Sequence, residues 1–535
     1  LIDHVSSNSI PAVRRGLASR LLGMLRPSAT HTAFSATLLL MASTVLSGML
    51  GLVRTKYIAY LFGAGAVTDA YYAAFQLPDM INYFLIGGVV STSLLTMLNR
   101  YQKSGDVAGG DRALSAVLNA MLVVLMVGVL LGEIFAPLYT HVAFPAFQGQ
   151  KADLCIALTR LLLPAQLFFF AGGVLGSRLL VRKIFLYQAV TPMLYNVGII
   201  LGAVFLHRRY GAYSLAIGVL AGAFVGSLVM NAVGAFRNGM QYRLIFNLRD
   251  AAFLEWLRLS LPLMIGVSLT MADKWILSYF ASDDTGGISR MNVAKTLFNA
   301  PLGILGAAAG AASLPFFAAL FSQGKMVEFA AAVNRSASRV IAVSVMAAGW
   351  MIALSGPIVD LYRGGSFSRN DATETAAYFG VFSLSIALWS AQGFYARAFY
   401  AVGNTRVPAI VGWIVTLVSL PIYSTLFHRM GMLGLAIASD LGILILTVTL
   451  AVLLDRRGMV PLSGLEAGEM VMALTAGSVG FAGAAACVGY LPVAHGHRGD
   501  LLLIGVGTVV WGGLCFGVLT VMGSRLPGQI LRRRT

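Results

Sequence analysis

Charged side chains set inside apolar sequence are the residues of this chain with chemistry to offer. The stretch from Gly51 to Pro78, GLVRTKYIAYLFGAGAVTDAYYAAFQLP, places Arg54, Lys56 and Asp69 on both sides of a glycine-rich turn. An ionised group at membrane depth costs about 2.5–3.5 kcal/mol on insertion scales, so such groups face a bundle interior or a water-filled cavity. Thr44, Ser47, Gly51 and Arg54 recur three or four apart, as do Asp69, Tyr72, Gln76, Asp79 and Tyr83. That spacing puts each set on one helical face. Thr270, Asp273 and Lys274 follow in a later apolar run, then Asn292, Lys295, Asn299 and Gly306. Four such seams around one void would hold an anion on Arg54 and Lys295, with amides from Gln76, Asn292 and Asn299 beside it. Asp273 with Thr270 would bind a monovalent cation or balance Lys274.

Each reading has a plainer rival. Arg54 and Lys56 also stand where a long side chain can snorkel to an interface. Asp69 follows Thr68, where either would cap a helix. Asp273 and Lys274 could pair with neighbours, and Lys295 could anchor a helix start at the interface. Enzyme motifs are missing: the sequence has no HExxH, GxSxG or Walker loop. Of the seven histidines only His495 and His497 share a loop, which reads as a solvated turn rather than a metal site. No catalytic residue, metal or cofactor is therefore expected. Active transport by such a chain draws on an ion gradient, the membrane potential or a downstream sink.

The elements that position these residues follow from composition. The chain has 535 residues, 58% of them hydrophobic and 11% charged, too apolar for a soluble protein of this length. Long Leu, Ala, Val and Gly runs without strand alternation predict an all-α polytopic membrane protein. Helices are expected near 33–62, 69–99, 113–139, 154–177, 184–206, 212–236, 254–281, 289–321, 328–355, 374–402, 407–427, 431–454, 465–491 and 500–523. The net charge of +17 is scattered in short clusters between apolar runs, which argues against nucleic acid as a partner. Cys155, Cys487 and Cys515 lie far apart and form no CxxC pair.

Basic loops are retained on the cytoplasmic side. Arg100 with Lys103, Arg178 with Arg182 and Lys183, Arg237 with Arg243 and Arg249, Lys325, Arg406, and Arg456 with Arg457 all fall on one side of a fourteen-span path. Both termini then face the cytoplasm, and His207-Arg208-Arg209 is the exception. Residues 1–32 read as a basic cytoplasmic leader rather than a signal peptide, with Leu17 to Leu25 as a short surface helix. Lys56-Tyr57-Ile58 and Lys274-Trp275-Ile276 echo one another, each followed by a Gly-containing turn and a Pro-broken helix, which suggests two duplicated lobes. The divisions expected are 33–236, a linker 237–253, 254–455, and two last helices with a basic tail over 456–535.

Leu61 to Asp79, LFGAGAVTDAYYAAFQLPD, preceded by Gly51-Leu52-Val53-Arg54, resembles the opening signature of the MurJ/MviN lipid II flippases of the MOP exporter superfamily. Arg160 to Pro164, Thr191-Pro192 with Asn196, Pro301 to Pro315, and Phe394 to Arg397 with Thr405 and Pro408 are similar to later pieces of that family in the same order. The resemblance covers about residues 33–455 and implies two six-helix lobes in a V around a cationic cavity, plus two C-terminal helices. It implies transport of a polyprenyl-pyrophosphate glycan, above all lipid II, through the bacterial inner membrane for peptidoglycan synthesis. Membrane lipids and cell-wall synthases would be the partners. By position Arg54 matches a cavity arginine, Asp69 an aspartate near the outer gate, and Asp273 a seventh-helix cation-site position. The chain departs from the family at Met80 to Gly88, at Gly48 and at Thr296, where arginines or an acidic step are usual. Those departures leave open another undecaprenyl-linked glycan, a cation-coupled exporter of small amphiphiles, or a scaffold for cell-wall synthases that transports nothing.

Overall fold

The computed structural model describes residues 33–83, 87–264, 269–492 and 496–531. The leader, its surface helix and Arg532 to Arg534 lie outside the described residues. Among the described residues the elements are helices joined by turns, with one isolated bridge between Gly364 and Phe367. Helices satisfy every backbone group internally, which is what an apolar solvent demands.

Among the described residues, fourteen longer helical segments follow the apolar runs in order, with short helices at Ser355–Asp360, Leu462–Gly464 and Arg525–Leu531 between or after them. The longer ones are α1 (Ala33–Phe62), α2 (in three pieces, Ala66–Ala74, Gln76–Ile81 and Gly87–Lys103), α3 (Val107–Ala143), α4 (Gly149–Val181) and α5 (Leu186–Tyr210). Next come α6 (Tyr213–Arg237), α7 (in two pieces, Ala251–Met264 and Leu269–Ala281), α8 (Gly287–Ser322), α9 (Met326–Ala353) and α10 (Arg369–Leu384 with Ile386–Ala401). The run Arg406–Arg456 breaks at Gly431 into α11 and α12, and α13 (Ala467–Tyr490) and α14 (His497–Val521) complete the set. The sequence presents the second span as one run over 69–99. Its first break falls at Phe75, three residues before Pro78, whose ring and missing N–H disrupt a helix on their N-terminal side.

One hairpin repeats. In α5–α6 the turn LHRRYG holds Gly211 at φ 51°, ψ −132°, and in α11–α12 the turn FHRMG holds Gly431 at φ 59°, ψ −140°. The His207 ring nitrogen Nδ1 meets the Val204 carbonyl and that of His428 meets the Ser424 carbonyl. This duplication is more legible than the Lys56 and Lys274 echo, and the sequence reading passed over it.

Apolar packing divides the molecule into levels. At the end of the bundle that carries the α1–α2 turn, the Asp69 end, one cluster joins both halves: Ile58, Ala70 and Tyr71 pack with Ile276, Met291, Phe298 and Phe367. Toward the opposite end, the linker end, the halves have separate cores. One contains Leu94, Leu114, Phe170 and Trp256, the other Phe317, Phe329, Phe394 and Leu450.

The linker is fastened to the first half. Asp111, Ser115 and Asn119 stand four apart on α3, which stacks them on one face. Gln241 N–H donates to the Asp111 carboxylate and Arg243 N–H to Ser115, while Asn119 donates to the Arg243 carbonyl. Arg178 grips the same Asp111 with two nitrogens, at 2.6 and 2.9 Å. The first piece of α7 continues this attachment through Phe253 and Trp256, whereas Leu269 in its second piece packs in the core of the other half.

Candidate functional site

At the Asp69 end the two halves are sealed by backbone as well as side chains. Asp69 is fully buried on the first turn of α2, and its carboxylate accepts from Gly286 N–H at 2.7 Å, Ser289 N–H at 3.0 Å and Lys151 Nζ at 3.0 Å. Gly286 and Ser289 lie at the start of α8, where free N–H groups and the helix dipole favour an anion. Asp69 therefore caps a helix of the opposite half. Charge-assisted bonds of this kind contribute about 1.5–3 kcal/mol each. Beside it Ser366 N–H donates to the Tyr60 carbonyl at 2.8 Å, and Gly365 sits so close that a Cβ there would lie 2.1 Å from that oxygen. Arg290 adds a charged knot with Asp284 at 2.5 Å, Asp371 at 3.2 Å and Glu374 at 3.1 Å.

Deeper in, Arg54 lies about two turns from the end of α1. Its Nη1 donates to Asn196 Oδ1 at 3.0 Å, and the Asn196 amide is itself fixed by donating to Ser47 and to the Pro192 carbonyl. Among the described residues no carboxylate lies within 4.0 Å of Arg54. A neutral amide thus holds the group in place without cancelling its charge. Lys56, by contrast, is exposed on the far side of α1.

A cavity of about 220 Å³ lies against this region, lined in part by Phe75, Pro78, Asp79 and Asn82 of α2, Gln166 of α4 and Tyr195 of α5. Gln76 is not on its wall. It is buried, and its amide nitrogen finds no partner among the described residues. Asp79, on the cavity wall, is ion-paired with Lys274 of α7, and the rings of Tyr83 and Trp275 meet edge to face at 6.3 Å. Both charged side chains remain more than a third exposed, so the pair contributes only about 0–1 kcal/mol.

Lys295 and Asp273, expected to serve different ligands, bind each other. The ammonium lies 2.9 Å from Asp273 Oδ2 and 2.9 Å from Ser439 Oγ, and 4.0 Å from the centre of the Phe382 ring. Tyr423 donates to the other Asp273 oxygen at 2.5 Å, and Asp440, held by Ser385, completes the group. Asp273 therefore faces Lys295 while its neighbour Lys274 turns to Asp79. Asn292 is half-buried and Asn299 exposed on α8, and the Thr270 side chain is outside the described residues. The structure thus puts Asp79 on the cavity wall, with Tyr195 next to the Asn196 that holds Arg54, and keeps Lys295 and Asp273 in a separate cluster. Lys151, Asn196, Tyr423 and Asp440 complete these sites without having been singled out as site residues. Their partners lie 55 to 150 positions away, so no local pattern announces them. Among the described residues no three His, Cys, Asp or Glu side chains converge on a metal position.

Two helical halves that share one apolar cluster at one end and keep separate cores at the other, built from helices long and apolar enough to cross a membrane, define a polytopic membrane transporter. A model of the family described as "Lipid II flippase MurJ" matches residues 58–504, and the chain belongs to that family. A Bdellovibrio bacteriovorus protein described as "Probable lipid II flippase MurJ" is 28% identical over 435 residues, covering 78% of this chain and 81% of its own. One so described from Borreliella burgdorferi is 24% identical over 427 residues, covering 79% and 83%. The solved structure "Lipid II flippase MurJ, inward closed conformation" superposes with a TM-score of 0.75 over 91% of this chain and 99% of its own, at 21% identity. An inward-facing multidrug resistance MATE family transporter of the MOP superfamily gives 0.63 over 77% and 94%, at 14% identity, so the fold is shared more widely than the family.

Proposed function

We propose that the chain carries lipid II from the cytoplasmic to the outer leaflet of the bacterial inner membrane, with Arg54 as the first contact for its pyrophosphate. The observation that carries this reading is the Arg54 guanidinium, held by Asn196 and facing no carboxylate among the described residues. Arginine's planar fork suits a phosphate better than lysine's point charge does. Lys295, engaged by Asp273, plays a secondary part, and the amides of Asn292, Asn299 and Gln76 serve the sugar once the lobes rearrange. The linker end is cytoplasmic in this reading, because Arg182, Lys183, Arg243, Arg249, Lys325 and Arg406 cluster in its turns. The Asp69 end is then the outer gate, with Asp69 as its catch.

The driving force follows from charge. Moving a negative headgroup outward runs with a membrane potential that is negative inside, worth about 2.3 kcal/mol per charge per 100 mV. With Asp273 already balanced by Lys295, the potential is the coupling source we favour over a bound cation. The test is complementation of a conditional lipid II flippase mutant. The wild-type chain should restore growth and Arg54→Ala should not, at equal abundance. Rescue by Arg54→Ala would reject the arginine's role.

A further inference from the structure

Resting on the reading of the cavity as a pyrophosphate site, we propose that Asp79 is a built-in stand-in for the substrate's diphosphate, which occupies Lys274 until a diphosphate displaces it. Asp79 belongs to the first lobe and Lys274 to the second, so their ion pair crosses between the lobes. The same Asp79 lines the cavity, and so does Tyr195, whose chain neighbour Asn196 accepts from Arg54. One anion already resident in the protein therefore sits on the cavity wall, paired with a cation of the other lobe that an incoming anion would take. The residents are suited to exchange. The pair is wet, with side chains 49% and 39% exposed, and a wet pair is weakly held. The Asp79 segment, Gln76–Ile81, is also separated at Phe75 from the piece that carries Asp69, so it can shift while the cap on α8 stays closed.

A diphosphate offers more acceptor oxygens and more charge than one carboxylate. Bound at Lys274 it leaves Asp79 without a partner, and a tie between the lobes is lost on loading. Entry of substrate is thereby linked to release of the lobes from one another.

The test uses the full chain in nanodiscs with inorganic pyrophosphate as probe, and in a parallel arm nanodiscs containing undecaprenyl diphosphate. Asp79→Asn should bind pyrophosphate about fivefold more tightly than wild type, the loss of an exposed competitor. That gain should vanish in an Asp79→Asn, Lys274→Gln double variant. Equal or weaker binding by Asp79→Asn, or a gain that survives removal of Lys274, overturns the proposal. Spin-label distances between the lobes at the linker end give a readout independent of any variant at these sites: pyrophosphate should lengthen them in the otherwise wild-type chain, and no change overturns it. Stronger binding in the lipid arm assigns the site to the lipid-borne diphosphate, and binding confined to the soluble probe overturns the link to substrate loading. If Arg54→Gln leaves pyrophosphate binding intact while Asp79→Asn still tightens it through Lys274, the role of Arg54 fails and the stand-in survives. If Arg54→Gln abolishes binding and Asp79→Asn changes nothing, the reverse holds.

Discussion

Asp69, at the start of α2, accepts hydrogen bonds from Gly286 and Ser289, at the start of α8 in the other lobe. A single buried carboxylate therefore closes the end of a helix that its own lobe does not contain. Lys151 shares it, and removing one partner of a buried pair costs about 3–5 kcal/mol because the other charge is stranded.

Asp69→Ala should loosen this end selectively. With cysteines replacing Tyr60 and Ser366, whose backbones are hydrogen-bonded in the closed seal, crosslinking yield should fall sharply in the Asp69→Ala background. An unchanged yield would show that the apolar cluster alone holds the end shut.

Gly365→Ala should act in the same direction by steric means. The residue has φ 57°, and a methyl would meet the Tyr60 carbonyl at 2.1 Å. Left-handed backbone with a side chain costs about 1–2 kcal/mol, and the clash adds to it. The Tyr60 and Ser366 crosslink should weaken while α10 stays folded, which circular dichroism and thermal stability can check.

The Lys295 cluster separates support from transport. Lys295→Met alone should destabilise by about 3–5 kcal/mol, since Asp273 is left buried and charged. Adding Asp273→Asn should recover most of that loss in a thermal-shift measurement. Complementation by the stable double variant would remove Lys295 from the list of headgroup ligands.

At Arg54 the predicted order is wild type above Lys above Ala. Lysine keeps the charge but loses the forked geometry, so partial growth rescue is expected, with protein abundance unchanged. Equal rescue by Lys and Ala would mean that neither charge nor geometry at this position matters.

The helices were legible because apolar runs of span length leave little choice, and the break between α11 and α12 shows as Gly431 in HRMGM. The polar residues of α2 stood out by their spacing, but the break at Phe75 divides them, so that Asp69 caps α8 while Asp79 lines the cavity. What the sequence hid was partnership. Asp273 and Lys274 are neighbours in the chain, yet consecutive helical residues point about 100° apart, and they serve different clusters. Lys274 finds Asp79 across 195 positions, a pairing set by how the lobes meet rather than by any local pattern.

The fastening of residues 241–243 along α3 has a mechanical meaning. Because the early part of α7 rides with one body and the later part with its mate, the covalent crossing from lobe to lobe lies between Trp256 and Leu269 rather than in the strap before α7. Any rocking of the lobes must then be absorbed between those two residues. Lengthening the strap would leave the stroke unaltered, whereas stiffening α7 would shorten it.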